Sequence, residues 1–179
     1  MGFLDAYGAY DADRALSYLA DGAIDDARPA DMARTREEVR GELAVFEAMR
    51  YRHTITGCEE VGESAAGVAI RCTFDMHALG SDEVGLGPYT GNHWDLTVRD
   101  GAITAAASSW AAATNGLSSQ RWEPFAEWVE TNHADDVVVV YADHDHDGYN
   151  HFANSEEAVA LLEQRLDEFV AEEIAAAGD

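Results

Sequence analysis

Tyr89-Thr90-Gly91-Asn92-His93-Trp94-Asp95-Leu96-Thr97-Val98-Arg99-Asp100-Gly101-Ala102-Ile103-Thr104 is the stretch whose reading decides the fold, and a run of small residues carries it on to Trp110. Asp100-Gly101 predicts a tight hairpin turn. A turn of the primed type needs positive φ, which glycine supplies without steric cost. Before the turn, Trp94, Leu96 and Val98 alternate with His93, Asp95, Thr97 and Arg99. A period of two means a strand with two unlike faces. One of those faces carries a His and an Asp two residues apart, pointing the same way.

Working backwards from the hairpin, residues 79–88 hold three Gly, a Pro and two acids and read as a loop. A long strand precedes them. It has Val68, Ile70, Cys72, Phe74 and Met76 on one side and Arg71, Thr73, Asp75 and His77 on the other. Tyr51, His53 and Ile55 alternate with Arg52, Thr54 and Thr56, a further strand ending at a turn over Gly62-Glu63-Ser64. Upstream the period lengthens. Phe3, Leu4, Tyr7 and Tyr10 predict a short helix over 2–10. Asp11 or Asp13 caps a second helix striped by Ala15, Leu16, Leu19 and Ala20. Thr35 to Glu38 forms a capping box for a third, whose buried face is Val39, Leu43, Phe46 and Met49. Three helices followed by four antiparallel strands predict an α+β domain over residues 1–117, with helices packed on one face of a curved antiparallel sheet.

Downstream, residues 118–179 read as an acidic C-terminal extension of helix, short strand, loop and helix, packed on the first domain or on a partner subunit. Trp122, Phe125, Trp128 and Val129 predict a helix, with Pro124 tolerated in its first turn. Val137-Val138-Val139-Val140-Tyr141 is a β-branched run and predicts the strand. Asn154-Ser155-Glu156-Glu157 starts a final helix striped by Val159, Leu162, Leu166, Phe169 and Ile174. Such stripes must pack on something, so this is no disordered acidic tail.

The chain has 179 residues, with 35 acids against 11 bases, for a formal net charge of −24. All the bases are Arg. A surface of that sign repels nucleic acid and anionic membrane, so neither is an expected partner. Acidity without Lys suggests adaptation to high internal salt, where screening relieves self-repulsion; a GC-rich coding sequence favouring Arg codons would give the same composition. The halophilic reading makes a prediction. The melting temperature, followed by circular dichroism, should rise as KCl is raised from about 0.1 M to about 2 M; a transition indifferent to salt would overturn it. Cys58 and Cys72 are the two cysteines; they lie on neighbouring predicted strands and could pair, but two are too few for a disulfide framework. Reduced thiols and a cytoplasmic location are the expectation. There is no N-terminal basic–apolar signal and no apolar run near ~20 residues.

The order of these elements resembles a known family. Tyr10 to Ile24 resembles the opening helices of SnoaL-like proteins of the nuclear transport factor 2-like superfamily, and Thr35 to Met49 resembles the helix that follows. His93 to Ile103 resembles the family's hairpin, an apolar-Asp-apolar strand followed by Asp-Gly and Ile, although Ala102 stands where a Lys is usual. Trp110 falls where an aromatic residue often ends the last strand. The resemblance covers residues 2–113. It implies an α+β cone with a sheet wrapped around an apolar pocket, and a homodimer. Its members include polyketide cyclases, isomerases, dehydratases and non-catalytic modules, so fold does not settle function.

Two sets of residues could carry chemistry. If the loop closes symmetrically about residue 85, His77 faces His93 and Asp75 faces Asp95, all four on one sheet face. A His–Asp pair in an apolar cavity can abstract a proton beside a carbonyl and return it to oxygen. His53, with Tyr7 or Tyr10, could donate hydrogen bonds to the developing oxyanion; Phe46 and Trp110 would complete the ligand-binding wall. The competing reading puts that polar face outside, with Phe74, Met76, Trp94 and Leu96 filling the interior. The second set is Asp143-His144-Asp145-His146-Asp147-Gly148. Asp143, Asp145 and Asp147 followed by Gly match the start of a calcium loop, but Asn154 stands at the twelfth position where a Glu belongs. No nucleophile elbow, dinucleotide fingerprint or Walker motif is present.

Three functions follow as expectations. One is a cofactor-free lyase, isomerase or cyclase acting on a small apolar, carbonyl-bearing molecule. The others are a non-catalytic ligand-binding or dimerisation module of the same fold, and a calcium-loop protein.

Overall fold

The structure is a computed structural model and describes residues 2–20, 36–141 and 152–178. The fold is α+β: N-terminal helices, a four-stranded antiparallel sheet in the order β1-β2-β3-β4, and a long C-terminal helix. Helix α1 spans Gly2–Gly8, α2 Ala12–Ser17 and α3 Arg36–Ala48. Asp11 caps α2, its side chain accepting from the Arg14 N–H at 3.1 Å. The strands are β1 Arg52–Ser64, β2 Gly67–His77, β3 Tyr89–Arg99 and β4 Ala102–Ser109. Short helices α4, Ala112–Asn115, and a π-turn over Ser118–Trp122 lead into α5, Glu123–Asn132. Then come α6, Val137–Val140, and α7, Glu156–Ala177. Two compact units divide the chain. The first holds residues 1–43, 53–76 and 90–111; the second holds 44–52, 77–89 and 112–179.

In the first unit the hairpin turns as the sequence requires. Asp100 and Gly101 both sit at positive φ, 53° and 82°, the conformation of a primed turn. Pairing then runs from Arg99↔Ala102 to His93↔Ser109, with one irregularity between Thr97 and Val98. Alternation sorts the faces. Cys72, Phe74 and Met76 of β2 and Asn92, Trp94 and Leu96 of β3 are buried, while Arg71, Thr73, His93 and Asp95 stand on the opposite, more open face. Asn92 is a buried amide with both ends used. Its Nδ2 donates to the Phe74 carbonyl and its Oδ1 accepts from the Ala111 N–H. Leu19 forms a parallel bridge to Ile103: the Ala20 N–H donates to the Ile103 carbonyl and the Ile103 N–H to the Tyr18 carbonyl.

Three expectations are corrected. Cys58 and Cys72 are joined in a disulfide across β1 and β2. Neighbouring strands bring them together, so the pairing open to them in the sequence is formed in place of the expected reduced thiols. The β1–β2 turn falls at 65–66, beyond Gly62-Glu63-Ser64. The Val137–Val140 run is a helical turn and not the short strand of the expected extension. Val137 and Val140 are buried at helical spacing while Val138 is 70% exposed, so packing overrides β propensity.

The second unit is organised around Arg121, which is completely buried. Its Nε and Nη2 donate to the Leu79 carbonyl at 2.9 and 2.5 Å, and its Nη1 to Glu173 at 2.5 Å. The guanidinium lies 4.8 Å from the Phe169 ring centroid. Arg50 bridges Glu83 and Asp167, and Arg52 pairs with Asp82. The Ser155 hydroxyl caps α7 by accepting from the Ala158 N–H, and Leu162, Leu166, Phe169 and Val170 form its buried stripe. Ile174 is 51% exposed and leaves that stripe; its neighbour Glu173 takes the turn to reach Arg121. Trp122, Phe125 and Trp128 pack against Phe152 and Phe169.

Candidate functional site

Helix α1 ends in glycine, and that glycine makes room for a histidine. A Cβ on Gly8 would lie 2.9 Å from His53 Cε1 and 3.1 Å from Nε2. His53 is in β1 and points inward, because β1 turns its odd residues to the helices. Its ring tilts against Phe74, centroids 5.6 Å apart. Around it opens a cleft of about 490 Å³, lined by Leu4, Asp5, Gly8, Ala9, His53 and Ile55. Leu4 and Gly8 are four residues apart, so they share a helix face, and His53 and Ile55 are two apart, so they share a strand face.

The electrostatics favour a neutral ring. Burial pushes the His53 imidazole below the ordinary histidine range, against the opposing pull of a hydrogen bond to the Leu4 backbone and of the Asp5 carboxylate. The folded pKa therefore lies under the unfolded one. Above both, His53 is neutral in either state and adds nothing. As the pH falls through the unfolded value of 6.5, the unfolded chain takes up a proton that the folded chain refuses, and stability drops until the folded pKa is passed. Urea midpoints should thus fall more between about pH 7 and about pH 5 in the wild type than in His53→Gln, whose side chain does not titrate. Parallel profiles would overturn this.

The four residues selected for acid–base chemistry are partly assembled. His93 Nε2 lies 3.5 Å from Asp95 Oδ2. The Asp95 carboxylate, however, accepts two bonds of 2.7 Å from Nε and Nη2 of Arg71, four residues before Asp75. That clamp holds the Asp95 carboxyl below the usual carboxylate range. The symmetric register about residue 85 is therefore not the one formed. The strand ends His77 and Tyr89, and the partners Arg71–Asp95 and Phe74–Asn92, centre the hairpin on residue 83 and not 85; in the loop between, Leu79, Gly80, Gly85 and Gly87 take positive φ and the Leu79 N–H bonds the Met49 carbonyl. Asp75 is part-buried on the Arg71 face of β2. His77 belongs to the second unit, where its Nδ1 lies 3.2 Å from the Ser81 hydroxyl.

The ligand-wall candidates divide similarly. His53 lines the cleft. Tyr7 is buried against Trp94, edge to face at 4.8 Å, with Phe3 beside both. The Trp94 indole N–H is buried and has no acceptor among the described residues. Tyr10 ends the α1 turn at positive φ. Phe46 packs on Tyr51 within the second unit, and Trp110 is part-buried just beyond β4. Leu4, Asp5, Gly8 and Ile55 went unselected by sequence reasoning; the four-residue and two-residue spacings around His53 are the signal that could have found them. The Asp143, Asp145 and Asp147 set lies outside the described residues. Among the described residues, no group of three or more His, Cys, Asp or Glu side chains is arranged to hold a metal, and no helix is long and apolar enough to cross a membrane.

No family model and no curated protein matches the chain. Solved structures resemble it. An NTF2-like protein from Cytophaga hutchinsonii is 14% identical, covering 63% of this chain and 86% of that one with a TM-score of 0.42. A proposed polyketide cyclase from Silicibacter is 22% identical over 63% and 85%, with a TM-score of 0.43. A protein with a ketosteroid isomerase-like fold from Catenulispora acidiphila, solved with trimethylamine, is 17% identical over 67% and 90%, with a TM-score of 0.43. These structures are described as NTF2-like, a proposed polyketide cyclase and ketosteroid isomerase-like in fold.

Proposed function

We propose that the protein binds a small, largely apolar molecule in the cleft over His53, with the imidazole as its hydrogen-bonding partner. The observation that carries this reading is the close fit of Gly8 to His53 in a cleft whose lining mixes apolar Leu4, Ala9 and Ile55 with Asp5. A concave, mainly apolar site with one or two converging polar groups is the usual form of a small-molecule site. The His93–Asp95 pair supports chemistry less well. Its carboxylate is committed to Arg71, and both Asp95 and Arg71 are substantially exposed. Acid–base turnover would run instead through His53, whose neutral ring is the form that accepts a proton from a carbon beside a carbonyl.

Filling the cleft tests this. Binding of an uncharged fluorescent dye such as dansylamide should weaken at least about tenfold in Gly8→Leu, because even a Cβ there collides with His53. Ile55→Trp fills the cleft from the sheet side and should do the same without touching the helix. Dye binding unchanged in both folded variants would refute the site.

A further inference from the structure

Building on the cleft reading, the charge of its lining says which molecules it takes. Of the six lining residues, Asp5 alone carries a fixed formal charge, and no Arg is among them. Gly8 and Ala9 stand at the C-terminal end of α1, where the helix dipole is negative and favours cations. The whole chain carries −24, so the surrounding field has the same sign. Burial keeps His53 short of a compensating positive charge. No residue of the cleft carries a fixed positive charge to meet a carboxylate or a phosphate, and Asp5 would repel either.

We propose that the cleft selects a cationic amine with an apolar body, its ammonium group at Asp5 and its body against Leu4, Ala9 and Ile55. His53 then accepts or donates a single hydrogen bond at the far side of the polar head. An alkyl amine is protonated at neutral pH, since its pKa is about 10. Asp5 is exposed, so its ion pair with the ammonium is modest, and the discrimination among ligands comes as much from repulsion of anions as from attraction of cations.

Three probes of one shape decide the matter: cyclohexylmethylamine, cyclohexylmethanol and cyclohexanecarboxylate. Each is titrated into the full chain at about 0.15 M salt. The readout is the His53 Cε1–H resonance, assigned by its loss in His53→Gln. The amine should bind at least about tenfold tighter than the carboxylate, with the alcohol between them. Asp5→Asn should bring amine and alcohol within about twofold, although the net charge of the chain barely changes. A carboxylate bound as tightly as the amine overturns the cation preference and leaves the cleft standing. So does an amine preference that survives Asp5→Asn, which would trace it to the general field. If none of the three moves the His53 resonance, the cleft itself is not a binding site and the proposal falls with it.

Discussion

Replacing Arg121 by alanine should destabilise the protein by about 3–5 kcal/mol, lowering the melting temperature by roughly 10 °C. The size follows from what the side chain does. Three of its N–H groups are spent, two on the Leu79 carbonyl and one on Glu173, and its plane covers Phe169. Truncation leaves that carbonyl buried without its donors and opens a void the volume of a guanidinium and its stem. Glu173 is one-third exposed and can rehydrate, so most of the loss comes from Leu79 and from packing. Arg121→Met separates these contributions. It restores volume but not the hydrogen bonds, and should recover about half of the loss. Arg121→Lys keeps the charge but loses the fork, and should fall between wild type and alanine. A urea midpoint for Arg121→Ala within error of wild type would show that Leu79 finds another donor.

Breaking the Cys58–Cys72 bridge should cost about 3 kcal/mol, the loop-closure value for a segment of this length. The bridged residues are 14 apart, on adjacent strands. Uncrosslinked, the denatured hairpin regains the freedom that the bridge withholds. The melting temperature should drop by several degrees in dithiothreitol, and Cys58→Ala with Cys72→Ala should melt at that lower temperature whether or not reductant is present. Alanine suits the Cys72 site, which is buried beside Phe74 and Met76; serine would add a buried hydroxyl. Two free thiols titrating in the urea-unfolded chain without reductant would show the cysteines unpaired in solution. Persistence of the bridge also calls for an oxidising compartment or a kinetically protected sulfur pair, in contrast with the reduced thiols expected from two isolated cysteines.

What could be read in advance was whatever is local. Asp100-Gly101 encodes its own turn, because positive φ at both positions is a property of two residues. The alternation through Phe74 and Met76 and through Trp94 and Leu96 separates the sheet faces without knowledge of any partner. Asp11 and Ser155 announce helix starts because a cap acts within three residues. What escaped depends on distant segments. The register of β2 on β3 depends on where a long loop is centred, residue 83 and not 85, so Asp95 meets Arg71 and not Asp75. Val137–Val140 becomes helical because its neighbours bury two of its four side chains at one spacing. Arg121 sits among aromatic residues in a polar-looking segment, with no periodicity to mark it as a core residue. The candidate site shows both kinds. His53 and Ile55 were visible as one face of a strand. That the site forms at His53 hinges on a glycine 45 positions away, which fits the imidazole only once the fold exists.

The small bridge between Leu19 and Ile103 has a consequence for how the sheet meets other chains. Every open sheet has two rims, and each is a template for further strands. Here the rims are unlike. At β4 the residues Tyr18–Ala20 already occupy the pairing atoms of Ile103, so an incoming strand must stop short there. At β1, 13 residues long, no strand lies outside among the described residues, and Glu59, Glu60 and Glu63 line the outermost stretch. Negative charge repels a like rim and blunts templating. Stacking of sheets into a fibre needs two compatible rims on every copy. A molecule with one rim obstructed and the other electrostatically guarded grows poorly in both directions, and each direction is blocked by a different device.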